Sequence, residues 1–387
     1  MIIRKHHRTW ALAFAIFCLV FLVKIGKRSE LIIYQEASKK CQSSSLYPYT
    51  GIDDDRIVQQ LSYKANSSSL NQTFNILIWG GVRSWGGIQP HNGDEVFARE
   101  QCHLQNCVLS SNQSELSTVS DLVIFRDRDA TPDVKLKPNG QVWMMYLLES
   151  PHNVNVKWDN IDWTATYRRD STIVAPYGKW SPASQNFPND ETIDLEPIAR
   201  NKTKKVAWFV SNCKARNNRL EYAMELAKYI EVDIFGSCGD KKCPRNSGEE
   251  CLKMLREEYK FYLAFENSNC ADYVTEKFWV SALRNDIVPI VMGPSVEDYQ
   301  AVAPPGSFIH VDQFSSPKEL AKFLNRLDAN DDLYQEYFSW KDKGDFVKTK
   351  FFCRVCALLN YKYLHPEERI EEKDLREWWK GSDVCRK

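Results

Sequence analysis

Residues 265–279, FENSNCADYVTEKFW, crowd a carboxylate, two amides, a phenol and a second carboxylate beside a lysine between two apolar segments. The first segment, FYLAFEN (261–267), reads as a buried strand, and the second as a helix from about Thr275. The free N–H groups of a helix start attract anions, and Lys277 in the first turn adds a full positive charge. Asn267, Tyr273 and Glu276 offer amide, hydroxyl and carboxylate partners for sugar hydroxyls or a base. Together they describe a nucleotide-diphosphate site. Taken singly, each residue also fits a capped helix, with Glu276 as a first-turn acid and Lys277 in solvent. For the whole cluster that account is weaker, because a buried strand should not end in ENSN without partners. Neither GxGxxG nor GxxxxGK[ST] occurs, which argues against dinucleotide oxidoreductases and P-loop hydrolases.

Such a cluster needs elements to hold it. FNILIWG (74–80), DLVIFRD (121–127) and QVWMMYLLES (141–150) are near-continuous apolar runs, as strands buried on both faces should be. After the polar join DLEPIARNKTKK (194–205), the second set begins with VAWFVSN (206–212) and the helix RLEYAMELAKYI (219–230), expected to bury Leu220, Ala223, Met224 and Ala227. VDIFG, a helix near EECLKMLREEYK, FYLAFEN and DIVPIVMG (286–293) follow. SSPKELAKFLNRL adds a helix with Ser316 as N-cap, Pro317 at its first position and Leu320, Phe323, Leu324 and Leu327 as its stripe. This alternation predicts two Rossmann-like α/β domains, residues 73–200 and 201–350, facing a cleft at the carboxyl ends of their strands.

The termini carry other signals. Residues 1–8 read as a cytoplasmic tail, 9–25 as an uncleaved transmembrane signal anchor around WALAFAIFCLVFLV, and 26–72 as a polar stem. Flanking positive charge is nearly balanced and leaves the orientation open. Four glycosylation triplets, at Asn66, Asn71, Asn112 and Asn201, all follow the anchor and favour a lumenal catalytic region. Of twelve cysteines, Cys18 lies in the anchor and the other eleven follow it, a load that suits an oxidising compartment and leaves an odd thiol. Zinc is the competing reading for Cys353 and Cys356 and for Cys238, Cys243 and Cys251, but no histidine pair completes a set. Lysine plus arginine equals aspartate plus glutamate, 51 against 51, which disfavours nonspecific nucleic-acid binding. The runs DDD (53–55) and DRD (127–129) could pass for a metal clamp and are read as solvated loops.

VSNCKARNNRLEYAMELAKYIEVDIFG (210–236), YKFYLAFENSNCADYVTEKFWVSAL (259–283) and VPIVMGP resemble the signature of the α-1,3-fucosyltransferases, glycosyltransferase family 10. YLLESP (146–151) and YRRDSTIVAPYG (167–178) match that family's acceptor-side motifs, with Tyr167 and Arg168 as acceptor-side residues. SNCKARNNRLEYA, FYLAFENSNC and FCRVCALL are most similar to the branch that fucosylates the N-glycan core in plants and invertebrates. The resemblance implies a GT-B type fold and a Golgi type II layout. It also implies inverting transfer of L-fucose from GDP-β-L-fucose to the 3-hydroxyl of GlcNAc on a glycoprotein N-glycan. Glu149 is then the base, and Arg219, with Arg216 as its alternative, and Lys277 face the phosphates. Asn212, Asn267, Tyr273, Val274, Thr275 and Glu276 hold the donor. No obligatory metal is expected, only stimulation by manganese or magnesium. The same resemblance implies that Cys353 and Cys356, in a closing segment 351–387, tie back to Cys102 and Cys107. A Cys213–Cys270 bridge is a further expectation. An antennal, Lewis-type acceptor, a different sugar nucleotide and an inactive glycan-binding relative are the rival readings.

Overall fold

The computed structural model describes residues 45–48, 54–65, 71–81, 85, 93–116, 118–183, 202–243 and 247–386. The tail, the anchor and most of the stem lie outside the described residues, as do Asn66 and Asn201. Among the described residues no helix is long and apolar enough to cross a membrane.

The first sheet contains β1 (Phe74–Ile78), β2 (Cys107–Ser110), β3 (Leu122–Arg126), β4 (Val142–Leu147), β5 (Trp163–Thr166) and β6 (Ile173–Val174). The chain continues through β7 (Trp180–Pro182), β8 (Lys204–Phe209), β9 (Val232–Phe235), β10 (Tyr259–Phe265), β11 (Asn269–Cys270), β12 (Val288–Met292), β13 (Ile309–His310), β14 (Gly344–Phe346) and β15 (Cys385–Arg386). The first sheet runs in the order β2-β1-β3-β4-β5-β6 and the second β13-β12-β10-β8-β9, every pair parallel. β10 is buried along its whole length, which is why its sequence is an unbroken apolar run. Strand order reverses between β1 and β3 and again between β8 and β10, and ligands of open parallel sheets bind at such points. Both sheets fall in one compact unit. β7 pairs with β14, and β11 with β15, as small antiparallel ties.

The helix Pro317–Asp328 starts as its sequence predicts: Ser316 accepts from the Glu319 N–H, Pro317 opens the first turn, and Leu320, Leu324 and Leu327 are buried. The helix Arg219–Leu226 departs from expectation. Its buried face is Arg219, Ala223 and Leu226, and Met224 is 54% exposed, so the stripe is rotated by one position. The helix expected from Thr275 is a six-residue π-helical stretch, Lys277–Ala282, that buries Phe278 and Trp279.

Residues 54–65 are not a polar spacer. Ile57 is fully buried in the short helix Ile57–Ser62, which packs on the helix Phe351–Leu364. Arg56 Nη2 donates to the Ser171 carbonyl at 2.6 Å, and Arg354 Nη1 donates to Gln60 Oε1 at 3.4 Å. Asp55, read as solvated, is 8% exposed and pairs with Lys179 at 2.6 Å. In the second aspartate run, Asp129 accepts from the Arg126 N–H at 2.8 Å and closes a turn.

Five disulfides join Cys102–Cys353, Cys107–Cys356, Cys213–Cys238, Cys243–Cys251 and Cys270–Cys385. The first two fasten the helix Phe351–Leu364 to the first sheet's half; on the chain-entropy model a loop this long is worth about 5 kcal/mol. The expected Cys213–Cys270 bridge is replaced. Cys213 follows β8 and bonds Cys238, which follows the neighbouring β9, while Cys270 pairs with the chain end. The cysteines weighed as zinc ligands are all consumed by these bonds.

Candidate active site

The carboxyl ends of β4 and β5 meet the segment that follows β10. Glu149 is exposed just beyond β4, and its Oε2 accepts from the Tyr273 hydroxyl of the opposite half at 3.1 Å. Tyr177 steadies the same strand end by donating to the Leu148 carbonyl at 2.8 Å. Ser150 and Ser268 hydroxyls, both buried, meet at 2.8 Å. Burial pushes the Tyr273 phenol well above the ordinary tyrosine range, and Glu266 and Glu149 push it further, so it stays a donor.

The core of the second half's contribution is Glu266, the residue after β10, which is fully buried. It accepts from the Thr275 N–H at 2.8 Å, from the Thr275 hydroxyl at 2.8 and 2.9 Å, and from Lys277 Nζ at 3.1 Å. Lys277 also donates to Thr275 Oγ1 at 2.8 Å and to the exposed Glu276 at 3.1 Å. Burial works against the Lys277 ammonium, but Glu266 and Glu276 outweigh it and hold its pKa above the ordinary lysine value. Burial raises Glu266, and Lys277 opposes the rise. The anion site expected at a free helix start is thus already taken: the Thr275 N–H serves Glu266, and Lys277 lies between two carboxylates.

Arg219 is 4% exposed at the switch point of the second sheet. Its Nη1 donates to the Phe265 carbonyl at 2.7 Å and its Nη2 to the Asn212 carbonyl at 3.1 Å, bridging the segments that leave β10 and β8. Its Nε has no hydrogen-bond partner among the described residues. Burial lowers its pKa and Glu266 opposes this. Arg216 is exposed; burial, then Arg216 and Lys380, depress His152. Asn212 is exposed, with Oδ1 accepting from the Lys214 N–H, and half-buried Asn267 accepts from Ser268 Oγ at 3.1 Å. Val274 and Thr275 point into the protein, at 4% and 0% exposure, so neither side chain meets a donor in the cleft.

The two acceptor-side residues are corrected by their packing. Tyr167 is 3% exposed, its ring 4.9 Å from Tyr273 and 5.7 Å from Trp379. Arg168 stacks on Trp378 at 4.6 Å, donates to the Trp378 carbonyl at 2.6 Å and pairs with Asp170 at 2.9 Å. Both build the wall behind the site. Of the glycosylation positions described, Asn71 and Asn112 are exposed, and Asn112 caps the turn Gln113–Glu115.

Four contributors escaped the sequence reading: Glu266, Tyr177, Asn217 and Arg169. Asn217 Nδ2 donates to the Glu266 carbonyl and to Asn269 Oδ1, each at 3.0 Å. Arg169 Nε donates to Asp272 Oδ1 at 2.7 Å across the two halves. Glu266 had a legible signal, since an acid directly after a fully buried strand needs a compensating cation. The others are set by contacts distant in sequence.

Residues 199–378 match the family model described as "Glycosyltransferase family 10 (fucosyltransferase) C-term", and residues 71–178 match "Fucosyltransferase, N-terminal". The chain is 46% identical to glycoprotein 3-alpha-L-fucosyltransferase A of Drosophila melanogaster over 90% of its own length and 69% of the relative's. It is 38% identical to alpha-(1,3)-fucosyltransferase 7 of Rattus norvegicus, over 80% of each. A crystal structure of an alpha1,3-fucosyltransferase with GDP-fucose has the same GT-B-like fold: TM-score 0.52 at 17% identity, covering 83% of this chain and 98% of that one.

Proposed function

This chain belongs to glycosyltransferase family 10 and is a GDP-fucose-dependent α-1,3-fucosyltransferase; from that premise we propose that its acceptor is the N-glycan core, where fucose joins the 3-hydroxyl of a chitobiose GlcNAc with inversion. The observation that carries the mechanism is the Tyr273–Glu149 hydrogen bond, which sets an exposed carboxylate of one half against the Lys277 network of the other. Glu149 takes the proton from the acceptor O3 as the O3–C1 bond forms and the C1–phosphate bond breaks, a role worth about 10²–10⁴ in rate. The electron pair leaves with GDP, whose growing charge is met by Lys277 and Arg219. Glu276, 52% exposed in its side chain, turns to the ribose hydroxyls and leaves Lys277 to the phosphates. No metal is obligatory in this scheme, and manganese or magnesium acts only as a stimulant.

The core acceptor is supported by the 46% identity to a glycoprotein 3-alpha-L-fucosyltransferase, against 38% to the rat alpha-(1,3)-fucosyltransferase. The apolar run within 9–25 and the exposed Asn71 and Asn112 support a single-pass type II protein of the Golgi with its catalytic region in the lumen. The test is to incubate the secreted lumenal region with GDP-fucose and defined N-glycans, then read the linkage. Fucose α-1,3-linked to the core GlcNAc is expected. Transfer confined to antennal lactosamine would replace the core reading with the Lewis-type one, and absence of both donor affinity and product would sink it.

A further inference from the structure

The family match ends at residue 378, and the residues that follow make contacts of their own. Trp379 is fully buried, its ring 5.7 Å from Trp158 and from Tyr167. Cys385 is bonded to Cys270, the two pair as partners of β15 and β11, and the Ala271 N–H donates to the Val384 carbonyl at 2.8 Å. Arg386 Nη2 donates to the Gly293 carbonyl at 3.2 Å, beyond the end of β12.

All of these contacts converge on one side chain. The Tyr273 N–H donates to the Cys270 carbonyl at 3.2 Å, so its backbone is set by the residue that Cys385 holds. Its ring lies against Tyr167, which Trp379 supports from behind. Its hydroxyl donates to Glu149. The rest of the loop has independent anchors, Arg169 on Asp272 and Asn217 on Glu266 and Asn269. Loss of the chain-end contacts therefore leaves the loop folded and the phenol loose.

We propose that residues 379–386 form a strap that positions Tyr273 against Glu149, with Trp379 and Cys385 as positioning residues for fucose transfer. The inference rests on Glu149 being the base. The strap acts on the chemical step because the bond it fixes orients the proton acceptor and makes no contact that the donor needs.

The test uses steady-state kinetics of the lumenal region carrying Cys270→Ser with Cys385→Ser, Trp379→Leu, Trp379→Phe or Tyr273→Phe. Loss of one hydrogen bond to a carboxylate predicts a kcat about tenfold lower for the cysteine pair and for Trp379→Leu. The KM for GDP-fucose should stay within about twofold, as expected when only a transition-state interaction is lost. Trp379→Phe, which keeps a ring beneath Tyr167, should recover most of the loss. Combined with Tyr273→Phe, the strap variants should cost less than about twofold more, because they act through the same phenol. Losses that add in full, a raised KM at constant kcat, or unchanged kcat would overturn the strap. Should the cysteine pair fail to be secreted, Trp379→Leu and its cycle with Tyr273→Phe give the same reading. Normal turnover by Glu149→Gln would overturn the base assignment, whereas an inactive Glu149→Gln beside fully active strap variants overturns the strap alone.

Discussion

Glu266→Gln separates two roles that a buried acid beside a phosphate site could play. In the native protein one carboxylate oxygen receives both the Thr275 N–H and hydroxyl, and the other receives the Thr275 hydroxyl and Lys277 Nζ. A carboxamide whose oxygen replaces the first keeps both Thr275 donors, but its amino group then faces Lys277. One charge-assisted bond is lost and two donors are left opposed, at a cost of about 2–3 kcal/mol in stability. Lys277 keeps Thr275 Oγ1 and Glu276, so the fold survives with a melting point lower by a few degrees. Removing a negative charge that lies 3.1 Å from Nζ leaves the ammonium less compensated. GDP should therefore bind at least as tightly, while transfer falls about tenfold or more because the ammonium is no longer aimed. Titration calorimetry with GDP and initial rates with GDP-fucose read the two quantities. Weaker GDP binding at unchanged kcat would refute the reasoning, because it would mean that Glu266 contacts the nucleotide directly.

Other perturbations give separable outcomes. Glu149→Gln should bind GDP-fucose normally in calorimetry and lose about 10²-fold or more in turnover, since the group that takes the proton is gone. Lys277→Ala should lose donor affinity, seen as a KM for GDP-fucose raised about tenfold or more, and it leaves Glu266 buried without its cation, so the melting temperature should fall as well. Lys202, 5% exposed and donating to the Asp286 carbonyl, has its pKa pushed down to about 7 by burial. Between that value and the ordinary lysine range the unfolded chain binds the extra proton, so stability attributable to this residue rises with pH across the interval. Lys202→Met should accordingly raise the melting temperature at pH 7 and gain less at pH 9; an equal gain at both would show that the ammonium is not the cause. Arg169→Ala should cost about 3 kcal/mol by leaving Asp272 buried and unpaired, read by chemical denaturation.

The two sheets were legible because parallel strands buried on both faces must be written as unbroken apolar runs, and YKFYLAF and VWMMYL are such runs. The cap of the helix Pro317–Asp328 was legible for a similar reason, since Ser-Pro with a glutamate at the third helical position satisfies local donors. Contacts between residues far apart were not. Arg168 sits in a motif that looks acceptor-facing, yet its guanidinium is claimed by Trp378, 210 residues later. Cys213 stands at the end of β8, which has β9 on one side and β10 on the other, so either Cys238 or Cys270 was a geometric candidate. The choice is settled by the chain end, which pairs with β11 and removes Cys270 from competition. The missing helix start has an electrostatic origin, since a buried Glu266 needs the Thr275 N–H as a donor and draws it inward.

That same need governs the charge of the cleft. Glu266 and Glu276 carry two negative charges, and Lys277 and Arg219 carry two positive ones, so the described network balances before any donor arrives. A diphosphate cannot gain much from a neutral cluster unless one acid withdraws, and only Glu276 is exposed enough to do so. Glu266, held by four contacts at full burial, stays and keeps the ammonium in place. The division explains why two glutamates flank one lysine: the buried acid fixes where the cation points, and the exposed one decides when its charge becomes available.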